Sequence, residues 1–160
     1  MSNENEHVDV TVENSGGTIP PPMYWGMDEK AYCTVLHLAQ FANFVPMGGI
    51  ILPLVMWLIH KDKSAVINEH GKHVMNWLIS EFIYMIVLVF FGIFLFFALF
   101  VVIMVASNGQ AAPLMFPLMF LAYIPVLCLN IVGIIFPIVG AVKANKGVCW
   151  KYPLTIPFIK

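Results

Sequence analysis

Between Phe82 and Val142 the chain contains no Asp, Glu, Lys, Arg or His, a run of 61 positions rich in Phe, Leu, Ile, Val and Met. A chain of 160 residues folded in water cannot hide such a run. A bilayer can, because a helix crosses its ~30 Å hydrocarbon core with ~20 mostly apolar residues. The chain is 60% hydrophobic and 11% charged, with a mean hydropathy of +0.85, whereas soluble domains carry about 25% charged residues. An integral membrane protein with one compact domain follows, and the fold class expected is an all-α helical membrane bundle.

Charge is polarised along the chain. Residues 1–29 hold six acidic side chains and no Lys or Arg, while Lys143, Lys146, Lys151 and Lys160 crowd the C-terminus. No basic patch points to nucleic acid. The three cysteines, Cys33, Cys128 and Cys149, are odd in number and widely spaced, a pattern that suits neither a disulfide framework nor a zinc site. The N-terminus lacks the basic and apolar regions of a signal peptide, so the internal apolar segments are expected to drive insertion.

Residues 1–29 read as a disordered acidic tail closed by Pro20-Pro21-Pro22, and residues 30–160 as the helical membrane domain. Its first apolar segment, residues 31–59, is interrupted by Pro46-Met47-Gly48-Gly49. Two readings stay open. One is a single span broken at Pro46–Gly49, giving three spans over about 31–59, 77–106 and 112–142. The other is four helices, the first two short or re-entrant. Residues 60–73 read as a polar loop, and Ser107-Asn108-Gly109-Gln110 as the turn that divides the uncharged run. Four prolines after that turn, at 113, 117, 125 and 137, predict an irregular start and kinks in the last helix. Trp57, Trp77, Trp150 and Tyr152 are expected at one membrane face. Lysines in the 60–73 segment and the basic tail 143–160, with none in the 107–112 turn, place loop and tail in the cytoplasm and the protein in the plasma or inner membrane.

Polar residues inside apolar segments are the natural site candidates. Glu81 lies at the margin of a span, as an interfacial acid or a cation-handling group. Asn130 lies deep in the last span, as interhelical glue or a pore residue. Thr34, His37, Gln40 and Asn43 give the first helix a polar side, either hydrogen-bonded inside the bundle or lining a polar path. Glu69, His70 and His73 form no complete ligand set. Gly133, Pro137, Gly140, Ala141 and Ala144 put small residues on one side of the last helix and permit close approach. No nucleophile–base pair, phosphate loop or cofactor fingerprint is present, so no catalytic residue, metal or cofactor is assigned and an enzyme is not expected.

Three ordered blocks carry a resemblance. The first is His37-Leu38, Phe44-Val45-Pro46-Met47-Gly48-Gly49-Ile50-Ile51-Leu52-Pro53-Leu54 and Met56-Trp57-Leu58-Ile59. The second comprises Lys61-Asp62-Lys63-Ser64, His70-Gly71-Lys72 and Asn76-Trp77-Leu78-Ile79-Ser80. The third is Ala141-Val142-Lys143-Ala144-Asn145-Lys146-Gly147 with Tyr152-Pro153-Leu154-Thr155-Ile156. Together they resemble the small bacterial membrane proteins grouped as MamF/MmsF, a family distantly similar to the twenty-kilodalton membrane subunit of the chloroplast inner-envelope translocon. The resemblance implies no catalytic residues. It singles out Ser64, His70, Gly71, Lys72, Asn76, Lys146, Gly147, Tyr152 and Pro153 as cytoplasmic motif positions. Gly71 is expected to permit a turn, Asn76 to cap a helix beginning at Trp77, and Tyr152-Pro153-Leu154 to pack back on the loop. The function expected is a non-enzymatic multi-pass scaffold or accessory subunit, the alternative being a channel, transporter or translocation component. Expected partners are the lipid bilayer and a second copy or another membrane protein.

Overall fold

The computed structural model describes residues 21–42 and 47–160. Of the tail expected over residues 1–29, the first 20 lie outside the described residues, as do Asn43 and Pro46, while Tyr24 is buried and Glu29 already begins a helix. The fold is all-α. Helix α1 is Glu29–Leu38, extended by a 3-10 turn at Ala39–Phe41; α2 is Gly48–His60, α3 is Ala65–Ala106 and α4 is Met115–Asn145.

The first apolar segment thus takes the four-helix form of the two sequence readings. With 10 and 13 residues, α1 and α2 are ~15 and ~20 Å long, each short of the hydrocarbon core. The Asp28 side chain starts α1 by accepting from the Ala31 amide at 2.7 Å, satisfying one of the free donors of the first turn.

The expected polar loop over residues 60–73 is a correction. His60 ends α2, only a short turn follows, and Ala65 onward is helix. The signal is Ser64, whose hydroxyl caps α3 by accepting from the Ile67 amide at 3.1 Å. Polar residues in 65–73 therefore occupy helix faces. The first residues of α3 face the other helices, and the remainder continues without a break into the uncharged run.

Burial divides the molecule in two. Every buried residue of α3 lies between Ile67 and Ser80, and those of α4 lie between Leu129 and Ala144. With α1, α2 and the C-terminal segment they form a compact head. The remainder of α3 and α4 is a hairpin whose large apolar side chains, such as Phe90, Phe94 and Phe116, stay exposed. From Phe82 to Ala106 is ~38 Å of helix, enough to cross a bilayer. The hairpin turns where the polar cluster predicts. Asn108 and Gly109 both have positive φ, and Ser107 Oγ donates to the Ile103 carbonyl at 2.7 Å. A 3-10 turn at Ala112–Leu114 precedes α4.

The aromatic residues assigned to a membrane face belong instead to the head core. Trp77, Tyr152 and Trp57 are buried. Phe136 lies 4.7 Å from Trp77 and 5.9 Å from Tyr152, centroid to centroid. On the other side of the head, the Tyr32 hydroxyl meets the Met56 carbonyl and His60 Nδ1, both at 2.8 Å, tying α1 to α2.

Candidate functional site

The head encloses a buried polar network of four residues assembled from three separate parts of the chain. His37 comes from α1 and Gln40 from its 3-10 extension, His70 from the first turns of α3, and Tyr152 from the segment after α4. His37 Nδ1 lies 2.5 Å from the Tyr152 hydroxyl, and its Nε2 lies 2.8 Å from His70 Nδ1. Gln40 Nε2 donates to the His37 carbonyl and to the Tyr152 oxygen, both at 3.1 Å.

Proton positions follow from these partners. The His37 carbonyl can only accept, so the Gln40 atom facing it is the amide nitrogen. The Tyr152 oxygen accepts from that nitrogen and gives its own proton to His37 Nδ1. His37 then carries its proton on Nε2 and donates it to His70 Nδ1. The chain runs Gln40 to Tyr152 to His37 to His70 with every ring neutral. Burial, reinforced by neighbouring His70 and His73, pushes His37 down to about 3. Burial also raises the Tyr152 phenol above its ordinary range. Gln40 Oε1 is buried without a hydrogen-bond partner among the described residues.

A glycine on α4 makes room for the network. A Cβ on Gly140 would sit 2.6 Å from His37 Nδ1 and 2.8 Å from the Tyr152 hydroxyl. The small-residue side of α4 lies here, with Pro137, Gly140, Ala141 and Ala144 all buried, and α4 packs on α1.

The C-terminal segment is fastened to the head face of α3. Asn76 Nδ2 donates to the Ile159 carbonyl at 2.9 Å while its Oδ1 accepts from the Ile159 amide at 2.8 Å. Ser80 Oγ accepts from the Ile156 amide at 2.9 Å, and the Tyr84 hydroxyl donates to the Leu154 carbonyl at 2.7 Å. Pro153-Leu154 forms a turn in which Leu154 has a φ of 63°. The segment thus packs on helix α3 rather than on a loop. Asn76 is not a cap, being well inside α3, and its amide acts as a clamp for an extended strand of backbone.

The other motif positions are structural too. Gly71 does not permit a turn; it lies inside α3, where a Cβ would run into the Trp57 indole. That indole donates to Asn68 Oδ1 at 3.0 Å. Ser64 also donates to Glu29 Oε1, joining the starts of α1 and α3. Lys72 pairs with Glu69 at 3.0 Å. Lys146 and Gly147 end α4 with the Gly147 amide on the Ala144 carbonyl and the Val148 amide on the Lys143 carbonyl. This arrangement requires the positive φ of 75° that Gly147 supplies.

The remaining candidates sit at the junction of head and hairpin. Gln40, Glu81 and Asn130 line one cleft of about 330 Å³. Asn130 Nδ2 donates to the Val126 carbonyl of its own helix at 2.8 Å, and it makes no interhelical hydrogen bond among the described residues. Thr34 is hydrogen-bonded to the Lys30 carbonyl at 2.8 Å. Asn43 lies outside the described residues. Among the described residues no group of three or more His, Cys, Asp or Glu is placed to hold a metal ion. The long-range bonds of Ser64, Tyr84 and Ser80 escape the sequence because each reaches a partner at least 35 residues away.

Two long apolar helices, a shorter one and a helical head define a small bacterial transmembrane protein. Residues 28–159 match the MamF/MmsF family, described as a magnetosome magnetite crystal formation protein family, and the chain belongs to it. No curated protein and no solved structure matches the chain.

Proposed function

We propose that the chain is a non-enzymatic, membrane-anchored scaffold or accessory subunit, with α3 and α4 crossing the membrane as a hairpin beneath a cytoplasmic head. The observation that carries this reading is the use made of the polar residues. His37, His70 and Tyr152 are at most 2% exposed, and their hydrogen bonds join α1, α3 and the C-terminal segment to one another. Such a network fixes a shape, and a rigid shape serves protein–protein contact.

Orientation follows from charge. All eight basic residues, Lys30, Lys61, Lys63, Lys72, Lys143, Lys146, Lys151 and Lys160, belong to the head, and the turn at 107–112 has none. That distribution favours a cytoplasmic head, in the plasma membrane or a membrane derived from it. The family description concerns crystal formation. The 107–112 turn carries no carboxylate, so the proposed role is organisation of other membrane components rather than contact with mineral through that turn.

Crosslinking in native membranes tests the reading. Adducts with a second copy or a membrane partner are expected, and detergent-purified protein should run above its 18.0 kDa monomer. A monomer without crosslinks in either setting would count against it. The shared cleft of Gln40, Glu81 and Asn130 supports a second reading as a translocation component. Two helices cannot enclose a pore, so several copies would be needed. Flux in liposomes that falls on Glu81→Gln substitution is its signature.

A further inference from the structure

The cleft between head and hairpin is built unlike the rest of the apolar surface. It is lined by Glu81 of α3 and Asn130 of α4, with Gln40 at its head side. The Glu81 carboxylate lies against Gly133, where a Cβ would collide with it. Gly133 follows Asn130 by three positions, so both share one face of α4. Glu81 has no ion pair or hydrogen bond among the described residues, where the ion pair found is Lys72–Glu69. Asn130 has committed its Nδ2 to Val126, and its Oδ1 remains an open acceptor. The rim is apolar and exposed: Phe41 is 40%, Ile50 38%, Phe82 61% and Ile134 53% exposed.

We propose that this cleft binds a primary ammonium group presented from the lipid phase, the headgroup of an ethanolamine phospholipid. Three features select that chemistry. The polar groups without a partner among the described residues are a carboxylate and the amide oxygens of Asn130 and Gln40, all acceptors, and an ammonium carries three donors and a positive charge. Apolar side chains frame the entrance, where an acyl chain would lie and a hydrated metal ion would gain nothing. Depth agrees as well. From Glu81 to the Ser107 turn is ~39 Å of helix, longer than the ~30 Å core, so Glu81 stands at headgroup level. This last feature rests on the two-span reading proposed above. A choline headgroup has no N–H to give Asn130, and a glycerol headgroup has no cation to give Glu81.

The test is native mass spectrometry of the full-length protein in detergent, titrated with phosphatidylethanolamine, phosphatidylcholine and phosphatidylglycerol of matched acyl chains. We expect ethanolamine lipid to be retained about tenfold more strongly than either other lipid, the ratio that one charge-assisted hydrogen bond supplies. Glu81→Gln should abolish the preference and Asn130→Ala should reduce it, while Phe94→Leu on the hairpin surface should leave it intact. Competition by free ethanolamine separates the two sources of the ammonium: displacement only by the lipid supports the proposal, and equal displacement by the free amine overturns the lipid assignment. Equal retention of all three lipids by the wild-type protein, which needs no variant to fold, overturns the site, as does an undiminished preference in a folded Glu81→Gln protein. Failure of the two-span reading shows separately, as labelling of residues 62 and 110 from the same side of the membrane.

Discussion

The Tyr152 hydroxyl lies 2.5 Å from His37 Nδ1 although 115 residues separate them. One contact therefore closes the head, bringing the segment after the last helix onto the first. Because Gln40 also donates to the same oxygen, removing the hydroxyl leaves His37 Nδ1 without a partner and Gln40 Nε2 with the His37 carbonyl alone. Tyr152→Phe is expected to lower stability by about 1–3 kcal/mol, read as a fall in the thermal midpoint of purified protein in detergent. An unchanged midpoint would show that the network does not hold the segment.

Acid should loosen the head. The unfolded chain binds a proton at His37 near pH 6.5, and the folded protein resists until about 3. Below pH 6.5 the unfolded state therefore binds more protons, and stability falls as pH falls. The expected slope is roughly 1.4 kcal/mol per pH unit through that window. The groups facing His37 are Tyr152 from the C-terminal segment and His70 and His73 from α3, with Glu81 acting on Tyr152. Burial also lowers His70 and His73, so thermal midpoints from pH 7.5 to 4 should decline for wild type and decline less steeply for His37→Gln.

Two glycines hold helices at close range. Gly71→Ala would drive a methyl into the Trp57 indole, and Gly140→Ala one into His37 and Tyr152. Each should cost about 1–3 kcal/mol through overpacking, although alanine is the better helix former. Denaturation that shows either variant more stable than wild type would contradict the close approach.

The helix ends give smaller effects. Gly147 has a φ of 75°, so Gly147→Ala should cost about 1 kcal/mol. Ser64 caps α3 and also bonds Glu29, so Ser64→Ala should cost about 1 kcal/mol or somewhat more. Hydrogen exchange at the first turn of α3 would locate the second effect.

Much of this architecture is legible in the sequence. The uncharged run and the Ser107–Gln110 turn mark the hairpin because lipid exposure leaves a compositional trace that needs no partner. Ser64 is legible only in hindsight: its cap starts α3 twelve residues before Asn76, and the polar residues in between read as a loop. Trp77 and Tyr152 resemble membrane-face aromatics in composition, but they pack with Phe136 inside the head. His37 and Gln40 stand out as polar residues in an apolar helix, yet nothing local shows that Tyr152 and His70 complete their hydrogen bonds. Networks closed by contacts across 33 to 115 residues depend on tertiary packing, which periodicity does not encode. Asn76 shows the same limit, since its partner is the backbone of Ile159.

The central claim is that α3 and α4 cross the membrane while α1 and α2 do not. Single cysteines in a Cys33-, Cys128- and Cys149-substituted background test it by labelling from each side of sealed vesicles. We expect Met23→Cys, Asp62→Cys and Lys151→Cys, all exposed on the head, to react from one side, and Gln110→Cys in the hairpin turn from the other. Reaction of Met23→Cys from the side opposite to Asp62→Cys would mean that the first apolar segment spans the membrane, and would contradict the two-span hairpin.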